Sequence, residues 1–143
     1  MYPCREGHVA PWHSTPNPPG PMTFTVTTSA TSATISTGDV AGLLVGAIEG
    51  GSNYWYMLES YTKAPSGCLD YEGVAAGNAT WIILDAEEPE DKLTLDRAAM
   101  QRGLQAMADK YPWHMENLLQ DNADAETSDV FLQCSLFGEV VFG

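Results

Sequence analysis

Basic residues are scarce in this chain of 143 residues: six Lys and Arg stand against 19 Asp and Glu, which gives a formal net charge of −13. Proteins that bind nucleic acid directly, or that lie on anionic membranes, rely on Lys and Arg to contact phosphates. The composition therefore argues against both classes. The same charge attracts basic protein surfaces and speeds encounter with them at low salt.

Long apolar runs and closely spaced cysteines are also missing. No apolar stretch reaches the roughly 20 residues that a transmembrane helix needs, and the first residues do not have the pattern of a signal peptide. Cys4, Cys68 and Cys134 are an odd number without CxxC spacing. This pattern gives no support to a zinc site and predicts reduced thiols. We expect no metal and no cofactor.

Proline is concentrated at the start of the chain, where residues 1–21 hold six of the nine prolines. Proline fixes φ and removes a backbone donor, so these residues are predicted to form an extended arm. The arm is either an upstream extension, with Met22 as the natural start, or a segment that packs Tyr2 and Trp12 onto the domain or a partner. Residues 22–143 are predicted to form a single domain.

Strand and helix patterns alternate through residues 22–143. Strand patterns cover residues 23–36, 53–63 and 79–86, and the first is either one long edge strand or two strands that turn between Ser29 and Ser32. Helices are expected to begin at Ser36 or Thr37, at Thr94, at Pro112 and at Ser128. Residues 68–78 and the acidic segment 85–92 are expected to be irregular. These patterns predict an α+β fold, a small antiparallel or mixed sheet with about four helices on one face.

Glycines interrupt the first predicted helix, "TGDVAGLLVGAIEGG". Gly42 and Gly46 are four residues apart on one helical face, and each glycine costs about 1 kcal/mol against alanine in a helix. We expect close packing of another element against this face. Gly50 and Gly51 are expected to end the helix in the left-handed conformation.

The segment "EGGSNYWYMLES", residues 49–60, has a structural and a functional interpretation. It is either the end of a helix followed by a strand, or a ligand or partner loop carried by Glu49, Asn53, Tyr54 and Trp55. Because it follows a helix, the negative end of the helix dipole faces it, so an anion site is disfavoured. A buried Glu49 would have a raised pKa and could act as an acid or base.

Two acidic runs stand out in the second half of the chain. They consist of Asp85, Glu87, Glu88, Glu90 and Asp91, and of Asp121, Asp124, Glu126 and Asp129. The two runs are either solvated loops or a partner-binding surface that imitates a phosphate backbone.

Nucleophilic chemistry has weak support in the sequence. His114 begins a predicted helix, and Cys134 is the only obvious thiol of the folded part that it could activate. Cys134 also lies on an apolar stripe, where a buried, inert thiol is usual. No catalytic residue is assigned.

Two long segments carry a family resemblance. They are "GLLVGAIEGGSNYWYMLE" and "GLQAMADKYPWHMENLLQDNADAETSDVFLQCSLFGEVVFG". Together they resemble a family of small acidic phage and prophage proteins of uncharacterised function, over residues near 38–60 and 100–143, and the arm before Met22 departs from that family. The resemblance implies a mobile-element protein of the bacterial cytoplasm, a setting in which small acidic proteins often inhibit host defences.

These observations predict a non-enzymatic phage-type interaction protein whose acidic surface binds a basic host protein. An anti-CRISPR or antirestriction protein that acts as a DNA mimic is the concrete form, with Tyr54 and Trp55 as aromatic anchors. The alternatives are a small-ligand binder or enzyme built around Glu49–Trp55, and an accessory protein of the virion. The oligomeric state stays open.

Overall fold

A computed structural model describes residues 23–28 and 31–143, and in them strands and helices alternate in an α+β arrangement. The strands are β1 (Thr23–Thr28), β2 (Thr31–Ser36), β3 (Tyr56–Ser60), β4 (Trp81–Asp85) and β5 (Glu88–Leu95). The helices are α1 (Thr37–Gly46), α2 (Tyr71–Ala75), α3 (Arg97–Lys110), α4 (Pro112–Leu119) and α5 (Ala125–Phe137). The predicted fold class is confirmed, and the predicted arm at residues 1–21 lies outside the described residues.

The strands are divided between two antiparallel sheets. β1 and β2 form a hairpin with Phe24 opposite Ile35, which decides between the one-strand and two-strand alternatives. The other edge of β1 is closed by side chains of α3. The Gln105 amide donates to Thr27 O and accepts from Thr27 N–H, and the Gln101 amide donates to Thr25 O. These bonds satisfy backbone groups that would otherwise face an open edge.

β5 occupies the acidic segment that was predicted to be a loop, so that prediction is wrong. β4 is the central strand of the second sheet, and β5 pairs with it from Trp81↔Leu95 to Asp85↔Glu88. Pro89 fits because β5 is an edge strand, where a missing N–H is tolerated. Backbone pairing with the apolar β4 outweighs the low strand propensity of the acidic residues.

Two of the long helices have aspartate N-caps in place of the predicted Thr94 and Ser128. Asp96 accepts from Ala99 N–H at 2.8 Å at the start of α3, and Asp124 accepts from Thr127 N–H at 2.9 Å at the start of α5. α5 therefore begins before Ser128, and α3 begins after Thr94. Each carboxylate satisfies an N–H that has no partner inside its helix.

A short helix, α2, lies within residues 68–78, which were predicted to be irregular. Asp70 accepts from Gly73 N–H at 3.1 Å and begins it. Its five residues are too few to show a helical period in the sequence.

α5 forms the centre of the core. Its residues Thr127–Ser135 are all buried, so this part of the helix has no solvent-exposed face. α1 packs closely here, because a Cβ at Gly46 would overlap the Ser128 side chain. The prediction of close packing is confirmed at Gly46 and is wrong at Gly42, which is exposed and has nothing near it.

Candidate protein-interaction surface

The candidate loop begins with a π-helical turn at Ala47–Gly51 that extends α1. Ser52 N–H donates to Ala47 O at 2.9 Å, five residues back. Gly50 and Gly51 continue the helical turn, so the predicted left-handed helix end is wrong. Gly51 lies against Ala125 O, where a Cβ would clash with the backbone. This approach places residues 52–55 beside the first turns of α5.

Asp129 holds the loop from α5. Its Oδ1 accepts from the Ser52 hydroxyl at 2.7 Å and from the Trp55 indole N–H at 2.9 Å. Its Oδ2 accepts from the Tyr54 hydroxyl at 2.7 Å, and Gln133 Nε2 donates to Oδ1 at 3.1 Å. A buried carboxylate with four donors is well compensated for its lost hydration. The Asp129 side chain therefore holds the loop through hydrogen bonds from three of its residues.

Gln133 extends this network to the end of the described chain. Its Oε1 accepts from Val141 N–H at 2.7 Å and Phe142 N–H at 2.8 Å, and its Nε2 donates to Phe142 O at 3.2 Å. The Phe142 ring stacks on Trp55 with centroids 5.2 Å apart. The same network therefore fixes residues 141–142 over the loop.

The two aromatic residues proposed as anchors differ in accessibility. Trp55 is 2% exposed and belongs to the core, so its predicted role as a partner or ligand anchor is wrong. Its indole N–H needs Asp129, and its ring needs the apolar surroundings of Phe142 and Phe137. Tyr54 is 55% exposed, and burial of its hydroxyl, together with its bond to Asp129, raises the pKa of Tyr54 to about 12. Asn53 is exposed beside it.

Glu49 is half-buried on the π-helical turn. The Tyr71 hydroxyl donates to its Oε2 at 2.9 Å, which links the turn to α2. Tyr56 OH donates to Ile48 O at 2.6 Å on the neighbouring residue. These bonds give Glu49 a structural partner at the end of the helix.

The structure places most of the predicted acidic surface in solvent. The exposed acids of the first run are Glu87, Glu88, Glu90 and Asp91 in the β4–β5 turn and β5, while Asp85 is half-buried. The exposed acids of the second run are Asp121 in the turn after α4, and Asp124 and Glu126 at the start of α5. Asp129 is 9% exposed, so its assignment to the acidic surface is wrong. Asp129 faces Ser52 and Trp55, whereas Glu126, one helical turn earlier on α5, is exposed.

Trp55 brings the two acidic runs together. Its carbonyl accepts from Ala86 N–H at 2.8 Å, beside the first run, and its indole donates to Asp129 at 2.9 Å, at the second. Asp85 and Asp121, which begin the two runs, are 36 residues apart in sequence, yet the backbone of Trp55 bonds beside the first run and its side chain bonds Asp129. The exposed residues Asn53 and Tyr54 therefore belong to a loop that contacts both acidic segments of the chain.

Few of these carboxylates are neutralised by cations. Within the described residues the ion pairs are Lys92–Glu59 at 2.6 Å, Lys110–Glu139 at 3.9 Å and His114–Glu126 at 3.9 Å. The last pair requires a protonated histidine. Hydrogen bonds from Thr127 lower the pKa of Asp124, which keeps that carboxylate charged. The negative charge of both runs is thus left to face solvent.

The Cys134–His114 site, which the sequence supported only weakly, lacks the geometry of an activated nucleophile, because the His114 ring bonds Thr127 and Cys134 is buried. His114 Nδ1 lies 2.9 Å from Thr127 Oγ1, and both residues are buried. Cys134 is also buried, and burial raises the pKa of its thiol to about 11, so a thiolate is scarce near pH 7. The prediction of reduced thiols is wrong at Cys68, which is disulfide-bonded.

Two observations bear on the class of protein. Among the described residues, none of the helices combines the length and the apolar character that membrane crossing demands. No protein-family model, curated protein or solved structure matches this chain.

Proposed function

We propose that this chain is a non-enzymatic interaction protein whose acidic surface binds a basic protein of a bacterial host. In its concrete form it is a cytoplasmic inhibitor of a DNA-targeting defence system, such as CRISPR or restriction, and it occupies a surface that otherwise holds nucleic acid. The observation that carries the proposal is that one loop, held by Asp129, contacts the backbone beside the first acidic run and the first turn of α5, which carries part of the second run.

The first acidic run has the charge density that a basic groove would recognise. Four exposed carboxylates lie between Glu87 and Asp91, a stretch of at most about 14 Å at the strand rise of 3.4 Å per residue. The Debye length at physiological salt is about 8 Å, so neighbouring charges act together on a partner. A row of Lys and Arg that binds phosphates would be attracted in the same way.

Tyr54 is the aromatic contact that this surface offers. Half of its side chain is exposed, and its hydroxyl is already held by Asp129 at 2.7 Å. A side chain that is ordered before binding loses little conformational entropy in the complex. Tyrosine is also among the residues that contribute most to interface affinity.

A triple charge-neutralised variant tests the proposal. The test variant carries Glu87→Gln, Glu88→Gln and Glu90→Gln, and the control carries Asp39→Asn, Glu59→Gln and Glu139→Gln, so both have the same net charge. Each is immobilised and exposed to host lysate at low and high salt, and the retained proteins are identified by mass spectrometry. The purified partner is then tested for DNA cleavage with and without the chain.

The expected partner is a basic nucleic-acid-binding protein that binds the wild type at low salt and is released at high salt. Its DNA competes with the chain, and the test variant binds at least about tenfold more weakly than the control. An equal loss of partner binding in both variants would show that binding depends on the total charge and not on the first acidic run. Failure of DNA to compete, or retention of acidic partners alone, would refute the proposal.

A further inference from the structure

A groove between α3 and α4 forms a second surface, which combines apolar and acidic residues. It lies between the last turn of α3 and one face of α4, with Thr28 of β1 at its end, and it encloses 540 Å³. The volume falls within the range of about 300–1,000 Å³ that is typical of ligand pockets. The groove is separate from the loop held by Asp129.

One helical stripe of α4 forms a wall of the groove. Pro112, Met115, Glu116 and Leu119 stand at i, i+3, i+4 and i+7, so they share a face. Met115 is buried at the bottom, while Leu119 is 47% exposed. Ala108 of α3 adds to the apolar floor. An apolar side chain of a partner can pack against this exposed leucine and the apolar floor below it.

Carboxylates border this apolar floor on both sides. Asp109 stands on α3 and Glu116 on α4, and both are exposed. Their hydrogen-bond donors are neutral amides: Gln105 donates to Asp109 and Gln120 donates to Glu116, each at 3.0 Å. The rim therefore keeps its two negative charges.

Lys110, next to the groove in sequence, is directed elsewhere. Lys110 follows Asp109 in sequence, but its Nζ donates to Gly138 O at 3.1 Å and pairs with Glu139. Within the described residues, no ion pair engages Asp109 or Glu116. Arg102 precedes Asp109 by about two helical turns, or roughly 10 Å. The groove thus combines an apolar floor with an unneutralised acidic rim.

We propose that this groove docks an amphipathic basic helix of a protein partner. An apolar side chain of that helix enters between Leu119 and Ala108, and Lys or Arg residues on its flanks reach Asp109 and Glu116. Charge complementarity selects this occupant, because a neutral or acidic helix would leave the rim carboxylates unpaired or repelled. Helix-in-groove recognition of this kind uses apolar anchors at i, i+3, i+4 and i+7.

A designed peptide serves as the probe. It has about 15 residues, enough to form a helix, with leucines at i, i+3, i+4 and i+7 and lysines on the flanks. A scrambled peptide of the same composition lacks the stripe, and a third peptide has glutamate in place of lysine. Binding to the full chain is measured by fluorescence anisotropy, and amide chemical shifts of the labelled chain locate the contact.

Two variants test the two components of the groove. Leu119→Ala removes the exposed apolar contact, and the double variant Asp109→Asn with Glu116→Gln removes the rim charge. Tyr61→Ala is the control for the first, because Tyr61 is an exposed apolar residue elsewhere. Glu87→Gln with Glu88→Gln is the control for the second. Circular dichroism establishes that each variant is folded.

The expected result is saturable binding of the amphipathic basic peptide, with shifts confined to α3, α4 and Thr28. Leu119→Ala and the rim variant each weaken binding at least about tenfold, as removal of an interface anchor does, while both controls change it less than about twofold. Equal binding of the scrambled peptide, equal loss in the controls, or shifts located elsewhere would overturn the proposal. So would self-association of the chain that Leu119→Ala abolishes, because the occupant would then be a second copy.

The groove proposal and the proposed function can be refuted independently of each other. The control pair Glu87→Gln and Glu88→Gln lies in the surface of the proposed function, whereas Leu119→Ala leaves that surface unchanged. If the wild-type chain binds the peptide in the groove but does not inhibit a DNA-targeting defence protein, the proposed function alone is refuted. The reverse result would refute the groove alone.

Discussion

Replacing Asp129 by alanine should destabilise the protein by about 3–5 kcal/mol. Three of its four donors are buried, those of Ser52, Trp55 and Gln133. A buried donor without a partner costs about 1–3 kcal/mol. The Ser52 hydroxyl can rotate and Gln133 keeps its bond to Phe142 O, so the full penalty falls on the indole and a smaller one on the other two.

Asp129→Asn separates shape from charge at the same position. The amide oxygen can accept the three bonds of Oδ1, and the new NH₂ group can donate to the Tyr54 hydroxyl oxygen. Bonds to a charged acceptor contribute about 1.5–3 kcal/mol and neutral ones about 0.5–1.5 kcal/mol. Removal of a buried charge offsets part of that difference. We expect a loss of about 1–2 kcal/mol.

Urea unfolding followed by tryptophan fluorescence measures both variants. Glu116→Ala is the control, because it removes one carboxylate from an exposed helical position and should change the free energy of unfolding by less than about 0.5 kcal/mol. If the free energy of unfolding of Asp129→Ala lies within about 1 kcal/mol of the wild-type value, with the same urea dependence, the hydrogen bonds to Asp129 do not stabilise the loop as argued.

Three further outcomes follow from the packing and the pKa shifts. Gly46→Ala should lose about 1–3 kcal/mol through overpacking, whereas the matched Gly42→Ala, at an open helical site, should gain about 0.5–1 kcal/mol; equal urea midpoints would contradict this. Tyr54 favours its neutral form in the folded state, so its contribution to stability is complete below pH 10 and is lost as the pH rises through about 12. Absorbance at 295 nm should show a late-titrating tyrosine that Asp129→Asn shifts to lower pH; an unchanged titration would argue against the hydrogen bond. Iodoacetamide at pH 8 should leave Cys134 unmodified in the native protein and modify it in urea, as checked by peptide mass spectrometry, and rapid native labelling would contradict its burial.

Local sequence patterns predicted most of the fold. The strand pattern at residues 79–86 contains the central strand β4, and the helix expected near Thr94 is α3, whose buried face includes Met100, Leu104 and Met107. These patterns succeed because periodicity records which side of an element faces the core. β5 failed because its strand conformation depends on pairing with β4, a contact that its own acidic composition does not encode.

The residues of the candidate site were also predicted correctly only where local sequence decides their exposure. The exposed acids between Glu87 and Asp91 were predicted correctly as solvent-facing, since charged residues rarely lie inside. Asp129 was placed among them because its sequence neighbours are acidic and polar. Burial depends on the direction of a side chain on α5 and on donors that lie more than 70 residues earlier in the chain.

By itself the sequence determined the excess of negative charge, the α+β class and the periodic faces of the main helices, because these depend on composition and on local spacing. The tertiary structure alone decided that Trp55 is a core residue, that Asp129 holds the loop, and that this loop contacts both acidic segments. It also decided that the α3–α4 groove has an acidic rim. Each of these requires residues far apart in sequence to approach within hydrogen-bonding or packing distance, and no local pattern specifies that approach.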